Sequence, residues 1–167
     1  MDADDIKQKS MNIVTDRRFQ IAVLIFLVAL GPRLLVMEHG LWQDEGRALT
    51  TARNALQGDG FTYTNRPLQQ HPYVFYSLLA AGFTIFGATD TVGIALVAVM
   101  GALTAVVAYL FARDLFGEKA GIAAAVFLVF SPVHFLISTR VLNDVPVTFF
   151  MTLAAYLLYK AEDLDSD

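Results

Sequence analysis

Apolar and polar residues fall along this chain in long blocks rather than in short alternation. Met1 to Arg18 is polar and carries Lys7, Lys9, Arg17 and Arg18. Phe19 to Met37 is apolar apart from Arg33. A polar stretch, Glu38 to Gln70, separates it from a shorter apolar run, Tyr73 to Phe86. Val92 to Ala112 then holds about 21 residues without a charge. Ala120 to Thr139 follows a charged hinge around Gly117 and is broken near Ser131-Pro132. After a polar loop, Val145 to Tyr159 is a last run that ends at Lys160. Uninterrupted apolar runs of this length predict helices in a bilayer. The first run is read as a retained span with its N-terminus inside. Gly31-Pro32-Arg33 supplies no small-residue cleavage site, and further spans follow. Arg33 stands about 22 Å beyond Arg18 at about 1.5 Å per residue, so it is expected to snorkel to the outer face.

The number of crossings decides which charges share a face. If Tyr73 to Phe86 crosses, the Arg113–Lys119 hinge falls outside. If it lies in the interface, Arg113, Lys119 and Lys160 all fall inside with the N-terminal bases, as the positive-inside rule prefers. Its length also suits an interfacial helix. The expected fold is an all-α integral membrane protein with about four transmembrane helices and two interfacial helices in the first extracytoplasmic loop. Expected are a cytoplasmic tail (1–18), spans at about 19–37, 92–112, 120–139 and 145–159, and an outer loop over 38–91. That loop holds interfacial helices at about 45–57 and 72–86. Gly58-Asp59-Gly60 stops the first of them, and Arg66-Pro67 marks a turn in the following loop. Residues 161–167 form an acidic cytoplasmic end. The whole of 19–160 is one membrane domain, placed in the plasma membrane.

Composition agrees: 56% of the residues are hydrophobic, more than the 45–50% or so of a soluble domain. The net charge of −4 argues against a nucleic-acid partner. With no cysteine, disulfides and thiolate metal sites are excluded.

The chemistry worth pursuing lies in Leu41-Trp42-Gln43-Asp44-Glu45-Gly46-Arg47-Ala48, where two adjacent carboxylates meet an arginine between apolar regions. Paired acids at a bilayer edge are costly to place, which makes them candidates for function. The bland alternative has Asp44 merely cap a helix that starts at Glu45. The topology brings Asp44, Glu45, His71, Arg140 and Asp144 to the outer face, with Arg33, Arg47, Arg53 and Arg66. Every base assigned outside is Arg and all four Lys are inside. Arg holds phosphate oxygens in a planar fork.

The order of these features resembles the amino-terminal part of the GT-C glycosyltransferases of the protein O-mannosyltransferase and aminoarabinose-transferase type. The matching pieces are Asp44-Glu45-Gly46-Arg47-Ala48, Ala52-Arg53-Asn54, His71-Pro72-Tyr73-Val74-Phe75-Tyr76, Phe86-Gly87 and Leu115-Phe116-Gly117. They continue with Ser131-Pro132, Arg140-Val141-Leu142-Asn143-Asp144, Phe149-Phe150 and Tyr156-Leu157. The resemblance implies transfer of a sugar from a polyprenyl-phosphate donor to an acceptor hydroxyl on a protein, glycan or lipid, at the outer membrane face. It implies that Asp44 takes the acceptor's proton and that Glu45 orients the acceptor or holds Arg47. Arg47, Arg53, Arg66, His71 and Arg140 would contact the donor phosphate. Asp44 and Asp144 would share a divalent cation, Mg²⁺ or Mn²⁺, since oxygen ligands suit both. Asp144 before Val145-Pro146 is equally a good helix cap.

Two departures stand out. The family often has Lys-Pro-Pro preceded by an acid, where this chain has Gln70-His71-Pro72-Tyr73. Gln70 is no anionic ligand, and His71 meets phosphate only when protonated or through one neutral N–H. The chain also stops after the expected fourth span, so it is expected to be a fragment and inactive alone. The other reading is a small four-span membrane protein without enzymatic function, such as a transporter subunit or assembly factor. A transporter would carry polar residues inside its spans, and the uncharged Val92–Ala112 run argues against that.

Overall fold

The computed structural model describes residues 16–64, 66–67 and 73–165, with side chains to residue 162. The chain is all-α apart from one two-stranded ribbon. The helices are α1 (Arg17–Leu35), α2 (Gln43–Gln57), α3 (Tyr73–Phe86) and α4 (Asp90–Phe116). They continue as α5 (Glu118–Phe130), α6 (Pro132–Ser138) and α7 (Asp144–Asp165). Between α2 and α3, in the stretch expected to be loop, β1 (Thr62–Tyr63) pairs antiparallel with β2 (Arg66–Pro67). Asn54 of α2 holds this ribbon by donating to the Thr62 carbonyl at 3.0 Å.

The apolar blocks became helices close to where the sequence placed them. α2 and α3 match the two expected interfacial helices, and α3 at 14 residues is about 21 Å long. That is too short for a hydrocarbon core of about 30 Å. α4 runs to 27 residues and takes in Arg113 and Asp114, which had been expected to lie in the hinge. The Thr89 hydroxyl starts it by accepting the Val92 N–H at 3.3 Å, and Gly117 ends it at φ 92°. Beyond Ser131, Pro132 has no N–H to continue α5, and the chain turns by 62° into α6. α7 continues as helix to Asp165, through most of the expected acidic end.

By length and composition, α1 and α4 can each cross a membrane, and α5 with α6 makes a third crossing if the bent pair is one span. Four spans were expected. α7 has the length, but its 22 residues start at Asp144 and include Lys160 and Glu162, so it is less apolar than α4. Half of the apolar window of α4 is buried, against 11% of that of α1. α4 is therefore the central post, packed on α1, α3, α5, α6 and α7. Leu24, Leu27 and Val28 of α1 and Phe127 and Phe130 of α5 stay exposed, as lipid-facing side chains would.

Small residues let the neighbours approach. Ala29 of α1 packs against Ala102 and Ala105 of α4. A Cβ on Gly121 of α5 would lie 2.6 Å from the backbone oxygen of Tyr109 in α4. Backbone cannot swing aside as a side-chain end can, so this crossing requires glycine.

The bundle separates charge along α4, over about 40 Å for its 27 residues. At one end Arg17 pairs with Glu118 at 2.9 Å, and Lys160 with Asp114 at 3.6 Å, beside Arg113. Tyr156 and Tyr159 donate to Asp114 there and clamp α7 to α4. At the other end lie α2, the start of α4 and the start of α7. Among the described residues, Asp44, Glu45, Arg140 and Asp144 thus lie at one end of α4 and Arg17, Arg113 and Lys160 at the other.

Two outcomes are expected. Gly121→Ala should destabilise by about 1–3 kcal/mol, read from thermal unfolding in detergent. Gly31→Ala, with nothing within 4 Å of its Cβ, should not. Cysteines placed at Asp59 and Lys119 should react with an impermeant maleimide from opposite faces of the membrane, and reaction from one face would break the separation just described.

Candidate functional site

The two neighbouring acids have opposite fates. α2 begins at Gln43, with Trp42 as its N-cap, so Asp44 lies inside the first turn and is not the cap. Consecutive helical side chains point about 100° apart. Asp44 is exposed, while Glu45 is fully buried. Glu45 Oε2 accepts the Trp42 N–H at 2.7 Å and Arg140 Nη1–H at 3.0 Å; Oε1 accepts the Val141 N–H at 2.9 Å. Glu45 thus ties the start of α2 to the loop before α7. It holds Arg140, not Arg47, and its oxygens are engaged by three donors, so it is a structural anchor and not an acceptor-facing group.

Arg140 is correspondingly engaged through Nη1, while its buried Nε has no hydrogen-bond partner among the described residues. Its guanidinium lies 4.0 Å from the centre of the Trp42 ring and also donates to the Gly40 carbonyl at 3.1 Å. The Thr139 carbonyl accepts from His39 Nε2 at 2.7 Å, which gives the same loop a second tie. The loop 139–143 is fixed by buried polar contacts that charge counting does not reveal.

What the anchoring creates is a cleft of about 120 Å³. Asp44, Arg47 and Ala48 of α2 form one wall, Phe75 and Tyr76 of α3 another, and Val141 to Asp144 the third. Asp44 and Asp144, a hundred residues apart, therefore face one space. Asp144 is the first residue of α7, and the Asn143 carbonyl accepts the first helical bond, from the Val147 N–H at 3.1 Å. Neither the Asp44 nor the Asp144 carboxylate takes a hydrogen bond from a described residue, so neither acts as a side-chain cap. Arg47 lies 5.5 Å from the Tyr63 ring centre, and its buried Nε has no hydrogen-bond partner among the described residues. Burial pushes the Tyr76 phenol above its ordinary value, Asp44 adds to the rise, and Arg47 opposes it. Tyr76 therefore stays a neutral phenol at physiological pH.

The other expected phosphate contacts lie elsewhere. Arg53 donates to Asp90 at 2.6 Å and to the Ala88 carbonyl at 3.2 Å, joining α2 to the turn before α4. Arg66 stands exposed on β2, opposite Tyr63, and is not part of the cleft wall. His71 and Gln70 lie outside the described residues. Arg33 does not snorkel. It is fully buried and bonded to Ser138, His134 and the Ala29 carbonyl. Of the arginines grouped on this face, Arg47 alone lines the cleft.

The described residues contain no group of three or more His, Asp or Glu side chains suited to a metal. Asp44 and Asp144 form an all-oxygen pair, and a divalent ion held by two carboxylates completes its shell with water or substrate oxygens. Tyr76 and Asn143 are the wall residues with polar side chains to which the sequence assigns no role. The signal was present, since both stand inside the quoted motifs.

A family model described as dolichyl-phosphate-mannose-protein mannosyltransferase matches residues 70–166. The chain belongs to this family. The matched stretch of this family member contains Tyr76, Arg140, Asn143 and Asp144 but begins after Asp44 and Arg47. An uncharacterized protein of Aquifex aeolicus (strain VF5) is 31% identical, over 81% of this chain and 29% of its own length. The chain thus spans under a third of that relative. No solved structure matches.

Removing the anchor should be costly. Glu45→Ala strands Arg140 and the Val141 N–H, and is expected to lower stability by about 3–5 kcal/mol. In a double-mutant cycle with Arg140→Ala, measured by unfolding in detergent, the two losses should fall well short of additive. Additive losses would show that the pair does not interact.

Proposed function

We propose that this chain is the catalytic front portion of a membrane glycosyltransferase, using a polyprenyl-phosphate sugar as donor and an acceptor hydroxyl of a protein, glycan or lipid. The observation that carries the reading is the cleft, in which Asp44, Arg47 and Asp144 meet in a chain of this family. Family membership for a mannosyltransferase-type chain weighs against the non-enzymatic four-span reading.

Asp44 is the group for the proton. Its carboxylate is exposed to the cleft and bound by no described donor. As the acceptor oxygen attacks the anomeric carbon, Asp44 takes the hydroxyl proton. The bond from that carbon to the phosphate oxygen breaks, and the phosphate leaves with the electron pair. Arg47 offers N–H donors where the phosphate's negative charge grows, and charge stabilisation of this kind is a large term in transfer reactions. Asp144 opposite Asp44 would supply the second carboxylate to hold a divalent cation such as Mg²⁺ or Mn²⁺. Such a cation would screen the leaving phosphate. The activity is assigned to the longer protein of which this chain resembles the first part.

The membrane face follows from charge. Arg17, Arg18, Arg113, Lys119 and Lys160 belong to the end away from the cleft. The sequence assigns all four Lys to that end, and on this ground we read it as the cytoplasmic one, with the cleft on the extracytoplasmic side of the plasma membrane.

In the full-length protein, Asp44→Asn is expected to lower transfer from a polyprenyl-phosphate sugar by about 10²–10⁴-fold, with expression and unfolding unchanged. Arg47→Met should raise the donor KM more than the acceptor KM. Full turnover in Asp44→Asn would remove Asp44 from the reaction.

A further inference from the structure

Arg33 is the largest fully buried side chain among the described residues, and no carboxylate pairs with it there. Its guanidinium is fixed to its own helix by the Ala29 carbonyl. From there it reaches across to α6. Nε donates to Ser138 Oγ at 2.7 Å, and Nη2 stands 3.1 Å from His134 Nδ1. The Phe135 ring centre lies 5.3 Å from its central carbon. Ser138 passes the contact on by donating to the His134 carbonyl at 2.6 Å. Gly101 of α4 makes room, because a Cβ there would lie 2.5 Å from Ser138 Cβ and 3.6 Å from Arg33 Nε. Three helices thus converge on one guanidinium.

α6 needs such a tie. It is seven residues long and follows a 62° bend with a proline at its start. A helix this short holds no orientation by its own backbone bonds. Yet the residue after it, Thr139, begins the loop that carries Arg140 and Asn143 and leads into Asp144 at the start of α7. The direction of α6 therefore sets where that wall enters the cleft, before Glu45 and His39 fasten the loop further along.

We propose that Arg33 is a positioning residue for the cleft: by forking onto His134 and Ser138 it sets the direction of α6 after the bend, and so the placement of Asp144 opposite Asp44. This rests on reading the cleft as the transferase site. The planar fork is essential, since three contacts in fixed directions define an orientation that a point charge does not.

The test uses the full-length protein in nanodiscs, with nitroxide labels on cysteines at Gln43 and Val147, both exposed. These report the separation of α2 from α7 in folded molecules only. Arg33→Met should broaden that distance distribution and lower kcat about 10- to 100-fold, with KM nearly unchanged. Ser138→Ala should broaden it less, and Arg33→Lys should not restore it. Should Arg33→Met fail to fold, Ser138→Ala carries the test by itself. Narrow, unshifted distances in the folded variants, or full restoration by Lys, would overturn the proposal. The two readings fail separately. Unchanged distances alongside an inactive Asp44→Asn would sink the role of Arg33 and spare the transferase. An active Asp44→Asn would sink the transferase, whatever the distances show.

Discussion

A carboxylate with no exposure to solvent has to be met by donors, and Glu45 is met by three. Stripping a charged group of water costs several kcal/mol unless its lone pairs are filled. The fold therefore has little freedom about where the loop 139–143 goes: Arg140 and the Val141 N–H must reach Glu45. The start of α2 and the start of α7 come together as a consequence, and the cleft is the space left between them. Trp42 takes part twice, through its backbone N–H and through the ring under Arg140.

The remaining architecture serves to keep that end of the bundle apart from the other. α4 is long enough to reach beyond a hydrocarbon core at both ends; its Ala102 and Ala105 admit α1, and Gly121 of α5 lets that helix close on Tyr109. Arg53 with Asp90 ties α2 to the top of α4. The Asp114 cluster ties α7 to its foot. Each polar clamp lies at a helix end, where water can help to solvate it, and the middle of α4 is left apolar. Arg33 is the exception: it too stands in the last turn of its helix, yet its guanidinium is fully buried.

Much of this was legible in the sequence, and the misses have a common cause. Blocks of apolar residues located the helices, because a run of about 20 such residues has few alternatives in a bilayer. Ser131-Pro132 announced the bend, and the pairing of Asp44 with Asp144 on one face followed from counting crossings. The individual charges were harder. Arg33, Arg53 and Arg140 look alike with Arg47 as solvent-facing arginines, since nothing local distinguishes a free guanidinium from one whose partner lies tens of residues away. Ser138, Asp90 and Glu45 are those partners, and only the packing brings them within reach. The helix start was misplaced for a related reason. Asp44 looks like a cap, but Trp42 takes the cap position, its backbone N–H bonded to Glu45, and the helix begins two residues earlier, at Gln43.

That misplacement matters for chemistry. A capping aspartate has its oxygens bound to backbone N–H groups, which hold it ionised but engaged. Once Glu45 and Trp42 start the helix, Asp44 is released from that duty. It stays in the first turn of α2, yet no described donor occupies its lone pairs. Arg47, one turn further on, faces the same cleft and leaves its buried Nε without a partner. Water can fill the lone pairs of the exposed Asp44, but the buried Arg47 Nε is left without a partner among the described residues, which costs free energy in a pure scaffold. Such an arrangement makes sense when a third, polar molecule completes it. The buried neighbour and the exposed neighbour thus divide the work: Glu45 builds the wall so that Asp44 need not.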